Sequence, residues 1–205
     1  MMFNLLKSIL IIISLICSNV FGQTINRYGT TAANFLEIGV GSRATSMGDA
    51  YVAVANDVSS IYWNPAGLSN VSNSSALFMV QPWLVDIDML FAGGAVVVPN
   101  VGVLGLGITH LDYGEMDVTN LEYQDGTGER FGASDMAATF TFSRKIVSWF
   151  SFGSSMKYIS SNIWHSSASA FAVDLGVLVN TKFFSFTGND NDGMNIGMSI
   201  SNYGT

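Results

Sequence analysis

Two histidines, His110 and His165, are the side chains here whose ordinary charge change falls near neutral pH. Beside a serine, either could act as a general base for hydrolysis. No strained nucleophile turn frames any serine of this chain. His110 shares strand parity with Leu104, Leu106 and Ile108, which makes it an interfacial side chain, and His165 stands in a loop beside Trp164. Gly188-Asn189-Asp190-Asn191-Asp192-Gly193 looks like part of a calcium loop, yet it lacks the closing bidentate glutamate and the flanking helices, so it reads as a hydrated turn. Asp125-Gly126-Thr127-Gly128 is likewise turn chemistry. Gly39-Val40-Gly41-Ser42-Arg43-Ala44 fits the dinucleotide pattern G-x-G-x-x-A, but Asp57 comes too early to hold a ribose and no βαβ unit follows. The sequence therefore assigns no catalytic residue, cofactor or metal, and a non-enzymatic protein is expected.

What would position side chains in such a chain is set by its composition. Only 11% of 205 residues are charged and 49% are hydrophobic, whereas soluble domains carry about 25% charge. Beyond the first 22 residues no apolar run is long enough for a transmembrane helix. High hydropathy without helical spans points to strands that cross a membrane as a barrel. The net charge of -7 becomes more negative once a leader containing Lys7 is removed, which disfavours nucleic acid as a partner. The single cysteine, Cys17, lies in that leader, so a mature chain holds no disulfide and no thiolate site.

Met1 to Gly22 reads as a secretory signal peptide, with Lys7, an apolar core from Ile9 to Ile16, and Val20-Phe21-Gly22 before the cleavage point. A lipoprotein reading would use Cys17, but Ile16 fills a position where a small residue is wanted. From about Ser75 the pattern has period two. Met136, Ala138, Phe140 and Phe142 alternate with Ala137, Thr139, Thr141 and Ser143. Phe150, Phe152, Met156 and Tyr158 alternate with Ser151, Gly153, Ser155 and Lys157. Phe171, Val173, Leu175 and Val177 alternate with Ala172, Asp174 and Gly176, and Met194, Ile196, Met198 and Ile200 with Asn195, Gly197 and Ser199. Strands over 75–83, 86–98 and 101–111 precede these. A soluble sandwich would place charges on its outward face, and they are missing, whereas small polar residues suit a barrel lumen and the apolar set suits lipid.

The expected loops are at Trp83-Leu84-Val85, Pro99-Asn100, Asp112 to Arg130, Lys145 to Ser148, Ser161 to Ser169 and Thr187 to Gly193. With a periplasmic N-terminus, 112–130 and 161–169 face outward, while Pro99-Asn100, the Lys145 turn and 187–193 face inward. Tyr62, Trp63, Trp83, Tyr113, Trp149, Tyr158 and Trp164 suit aromatic girdles, although aromatics also simply mark strands. Folding the hairpin about 161–169 puts Lys157 opposite Ala172, with Asp174 diagonal to it, as a lumen pair. Seven strands are an odd number and leave two edges, so the chain is expected to be an incomplete barrel.

Between leader and strands lies a stretch rich in small residues, Gly39, Gly41, Ala44, Gly48, Ala50, Ala53 and Ala55, whose backbone can lie close to other surfaces. It ends in Asn64-Pro65-Ala66-Gly67-Leu68, which has the residue preferences of a type I turn. The blocks Gly41-Ser42-Arg43-Ala44, Met47-Gly48-Asp49-Ala50 and Asn64-Pro65-Ala66-Gly67-Leu68, in this order after a leader, resemble the PorV/PorQ-like family of bacterial outer-membrane β-barrels, related to the FadL fatty-acid channels. Asp49 departs from the pattern, since the family more often has a second glycine there.

The resemblance implies an all-β, FadL-like transmembrane antiparallel β-barrel: signal peptide 1–22, N-terminal plug segment 23–74, and the first half of a barrel over 75–205. It implies a bacterial outer-membrane protein that partners type IX protein secretion, meeting secretion-machinery proteins and their cargo within outer-membrane lipid. The alternative is a FadL-like passive channel for long-chain fatty acids or another hydrophobic small molecule. In either case Arg43, Met47, Gly48, Asn64, Pro65 and Gly67 take structural and gating roles in the plug.

Overall fold

A computed structural model describes residues 32–187 and 193–204. The expected signal peptide, residues 23–31 and the calcium-like run at 188–192 lie outside the described residues. From Ala33 onward the chain forms one compact unit, so the N-terminal segment and the strands share a core.

The protein is all-β. Seven strands, β1 (Ser75–Pro82), β2 (Asp88–Val98), β3 (Gly102–Asp117), β4 (Arg130–Val147), β5 (Phe150–Ile163), β6 (Ser166–Asn180) and β7 (Asn195–Gly204), form one antiparallel sheet in the order β1-β2-β3-β4-β5-β6-β7. The sheet is not closed: β1 and β7 each pair on one side only. No helix among the described residues is long and apolar enough to cross a membrane.

All seven expected strands are present, several of them longer than their alternation suggested. The expected loop at 161–169 is replaced by a two-residue turn at Trp164 and His165, with Trp164 at φ 50°, because tight hairpin turns need a left-handed residue and polar alternation continues almost to the tip. The expected loop at 112–130 shrinks to 118–129. A bulge between Asp112 and Glu115 carries the pairing onward, and Arg130 bridges Glu115 at 2.9 Å and Asp117 at 3.2 Å. The turn expected at 145–148 lies at Ser148 and Trp149, displaced by a bulge between Lys145 and Val147.

Period-two alternation separates two chemistries onto the two faces. One row across the sheet reads Leu106, Phe140, Met156, Val173, Tyr203, and each of these side chains is exposed. The opposite face holds the row Ala95, Gly105, Thr141, Ser155, Asp174, with Ala95, Thr141, Ser155 and Asp174 buried. What buries that face is the N-terminal segment. It contains a 3-10 turn (Asn34–Glu37), helix α1 (Ser42–Ser46), helix α2 (Ser60–Trp63) and a second 3-10 turn (Pro65–Asn70).

Two apolar clusters join segment and sheet. Phe35, Leu36 and Val40 pack with Met89, Phe91, Leu111 and Ile159, while Val58, Ile61 and Leu68 pack with Ala95 and Val103. Each fully buried aliphatic or aromatic side chain of this kind stabilises by about 1.5–3 kcal/mol. Tyr62 and Trp63, grouped among the rings that suit an aromatic girdle, hold the segment to itself. Tyr62 OH donates to the Leu36 carbonyl at 2.6 Å, and Trp63 Nε1 donates to the Val40 carbonyl at 2.8 Å.

Candidate functional site

Asn64, Pro65 and Gly67 lie at the centre of the buried face. The turn they form starts as expected, with the Gly67 amide donating to the Asn64 carbonyl at 2.9 Å, and then runs on as the 3-10 turn through Asn70. Pro65 opens it because its fixed φ suits a first helical position and its missing N–H has no partner to lose there. The Asn64 side chain, fully buried, is satisfied on both ends. Its Oδ1 accepts from the Ala66 amide at 3.0 Å, and its Nδ2 donates to the carbonyls of Val52 at 2.9 Å and Val177 at 3.2 Å. One carboxamide thus ties the turn, an earlier part of the segment and strand β6 together.

The sheet offers this turn a shelf. Ser143, Gly153 and Gly176 stand side by side on β4, β5 and β6. A Cβ at Gly153 would sit 2.3 Å from the Pro65 carbonyl carbon, and one at Gly176 would sit 2.1 Å from Asn64 Oδ1. Only hydrogen fits there. Ser143 Oγ adds a bond to the Ala66 carbonyl at 3.1 Å. Gly153 and Gly176 are therefore part of the site, and reasoning from the N-terminal motif alone missed them. Their signal was available: both carry the small-polar parity, and the hairpin register that opposes Lys157 to Ala172 also opposes Gly153 to Gly176.

Arg43, Met47 and Gly48 are not brought to that anchor. Arg43 is exposed, donates from Nη1 to Asn56 Oδ1 at 2.8 Å, and lies 5.4 Å from the centre of the Tyr51 ring. Met47 is exposed, and a Cβ on Gly48 would meet nothing within 4 Å. What this turn requires is backbone shape: Gly48 has φ 62° and Asp49 has φ 66°, two successive left-handed residues. Asp49 is thus an aspartate where glycine would be least strained. Beneath it, Tyr51 OH donates to Asp57 Oδ2 at 3.0 Å, and Asp57 Oδ1 accepts from the Ser59 amide at 2.9 Å. Burial first, then the Asp57 carboxylate, pushes the Tyr51 phenol above its ordinary pKa.

The polar part of the covered face continues past the shelf. Thr141 Oγ1 and Ser155 Oγ are 2.8 Å apart, and Lys157 Nζ lies 2.8 Å from Asp174 Oδ2, both side chains almost fully buried. Lys157 stands opposite Ala172, with Asp174 one step diagonal. His110 is on the other face, its Nδ1 3.1 Å from the Asp135 carbonyl, and His165 stacks on Trp164. No serine stands in hydrogen-bond contact with either ring among the contacts of the described residues.

No protein-family model matches this sequence, and no curated protein matches it either.

Proposed function

We propose that this chain builds part of an outer-membrane β-barrel wall of the PorV/PorQ type, a non-enzymatic partner of type IX protein secretion whose interior is stoppered by its own N-terminal segment. The observation that carries the reading is the inversion of the two sheet faces. Large apolar side chains such as Phe78, Leu106, Phe140, Met156, Phe171 and Met198 are exposed, while the small and polar face is buried. In water this arrangement is unfavourable, since a contiguous apolar face of this extent seeks a partner. In a bilayer it is the favourable one, and strands are then the elements that can cross.

The covered face also bears on which barrel function is supported. A channel for fatty acids wants a continuous apolar path along the interior. Here the interior face is mixed: Met89, Phe91, Leu111 and Ile159 pack against the segment, while Thr139, Thr141, Ser143, Ser151, Ser155, Lys157 and Asp174, all buried, interrupt any continuous apolar path. The segment above them is held by Asn64 and by glycines without spare room. These features support a closed wall that works through partners more than the passive-channel alternative.

The test is membrane fractionation of the native protein followed by mild detergent extraction. Recovery in the outer membrane with heat-modifiable migration, together with secretion-machinery components or cargo sharing a C-terminal sorting domain, is the expected result. Recovery as a soluble periplasmic species would overturn the membrane reading. Outer-membrane recovery without such partners, combined with uptake of a labelled fatty acid into vesicles holding the protein, would favour the channel.

A further inference from the structure

One buried ion pair reaches across three strands to a break in register. Below the break, Gly176 pairs with Ser199 and Leu175 with Ile200; above it, Val173 pairs with Tyr203 and Ala172 with Gly204. Strand β7 therefore carries one extra residue opposite Asp174, and Ser201 and Asn202 share that position as a bulge. Asn202 has φ 57°, a left-handed conformation that asparagine tolerates better than most residues. Its amide donates to Asp174 Oδ1 at 2.7 Å, and its Oδ1 accepts from Lys157 Nζ at 2.7 Å. The 2.8 Å ion pair between Lys157 and Asp174 Oδ2, an oxygen that accepts no hydrogen bond among the described residues, completes a ring with these two charge-assisted hydrogen bonds, which are stronger than neutral ones.

The extra residue decides which face the end of β7 shows. With it, Tyr203 continues the exposed row of Met156 and Val173, and the Asn202 carboxamide points to the buried pair. Without it, the strand beyond Ile200 would slip by one, and a one-residue slip exchanges the faces of every side chain that follows. Asn202 would then join the apolar face and Tyr203 the polar one.

We propose that Lys157, Asp174 and Asn202 are a register clamp that sets the frame of the exposed end of β7, the edge any further strand must read. A buried ion pair is weak evidence of stability by itself, and fixing register is the better-attested use of such a pair. The clamp does not rest on the proposed secretion role, because register can be read in the folded chain in any membrane or detergent.

The test uses pairs of cysteines in a Cys17→Ser background of the full chain, oxidised with copper phenanthroline in the folded, heat-modifiable form. With the clamp intact, Val173→Cys with Tyr203→Cys crosslinks and Ala172→Cys with Tyr203→Cys does not. Replacing the pair by apolar groups, Lys157→Met with Asp174→Leu, is expected to abolish the first crosslink and produce the second. Retention of the intact pattern in that folded double variant would overturn the clamp. If the double variant yields no folded form, Asn202 decides. Asn202→Gly keeps the left-handed residue and its amide, so the first crosslink should persist. Asn202→Val lacks the Oδ1 acceptor as glycine does but also disfavours the left-handed conformation, so the crosslink should disappear. Equal crosslinking in the two Asn202 variants would overturn the proposal.

Discussion

The two halves of the N-terminal segment stand out equally in the sequence, yet the fold uses them differently. Around Asn64 the chain is buried, every polar atom of one side chain is spent, and the neighbouring sheet positions must be glycine. Around Arg43 to Asp49 the chain is exposed apart from Ala44, and what matters is two successive left-handed residues. Small residues thus serve two physical ends, close approach in one place and backbone freedom in the other. Motif resemblance alone does not tell them apart.

The largest effect should come from filling the shelf. Gly153→Val would drive a side chain into the Pro65 and Ala66 backbone, which cannot yield as a flexible side chain does. Overpacking of this kind costs about 3 kcal/mol or more, read as loss of the heat-modifiable band. Asn64→Ala comes next. It leaves the Ala66 amide and the Val52 carbonyl without this partner, for about 2–4 kcal/mol from several lost bonds and uncompensated groups. Limited proteolysis in membranes should cleave near the segment faster in Asn64→Ala than in Asn70→Ala. Equal cleavage would contradict the anchoring role of Asn64.

Alkaline pH should loosen both halves together. Burial, then the carboxylates of Asp49 and Glu37, raises the Tyr62 phenol, and burial with Asp57 raises Tyr51. The folded state therefore holds these protons where the unfolded chain has lost them. Their contribution to stability is complete below the ordinary phenol pKa of 10.0 and declines as pH rises above it. Denaturant midpoints should fall above that pH, and Tyr62→Phe should flatten the decline. The smallest effects belong to the outer half. Gly48→Ala, forced to φ 62°, should cost about 1–2 kcal/mol without any clash, and Arg43→Ala should stay within about 0.5 kcal/mol. Both read in the same denaturant series.

Much of the fold was legible because period two is a strong signal when the two faces differ in chemistry. Phe140 against Thr141, or Met156 against Ser155, leaves no doubt about parity, and hairpin arithmetic about the β5–β6 turn puts Lys157 beside Asp174. Turn positions were less legible. The residues around Trp164 look loop-like, but a single left-handed residue closes that hairpin. The role of Tyr62 and Trp63 was not legible because aromatics beside a turn equally suit a girdle, whereas their polar atoms serve the segment's own carbonyls. Asn202 could not be foreseen, since a bulge leaves alternation intact on either side and shifts only the phase.

The proposed membrane role requires the exposed apolar face to meet lipid and the opposite face to meet the segment. The most direct measurement is nitroxide accessibility along β6, with single cysteines at Phe171, Ala172, Val173, Leu175 and Val177 in membranes holding the folded protein. Phe171, Val173, Leu175 and Val177 should collide with oxygen dissolved in lipid, whereas Ala172 should be shielded from it. Accessibility to a water-soluble relaxer at Phe171, Val173 and Leu175, without lipid-phase oxygen collisions there, would contradict it.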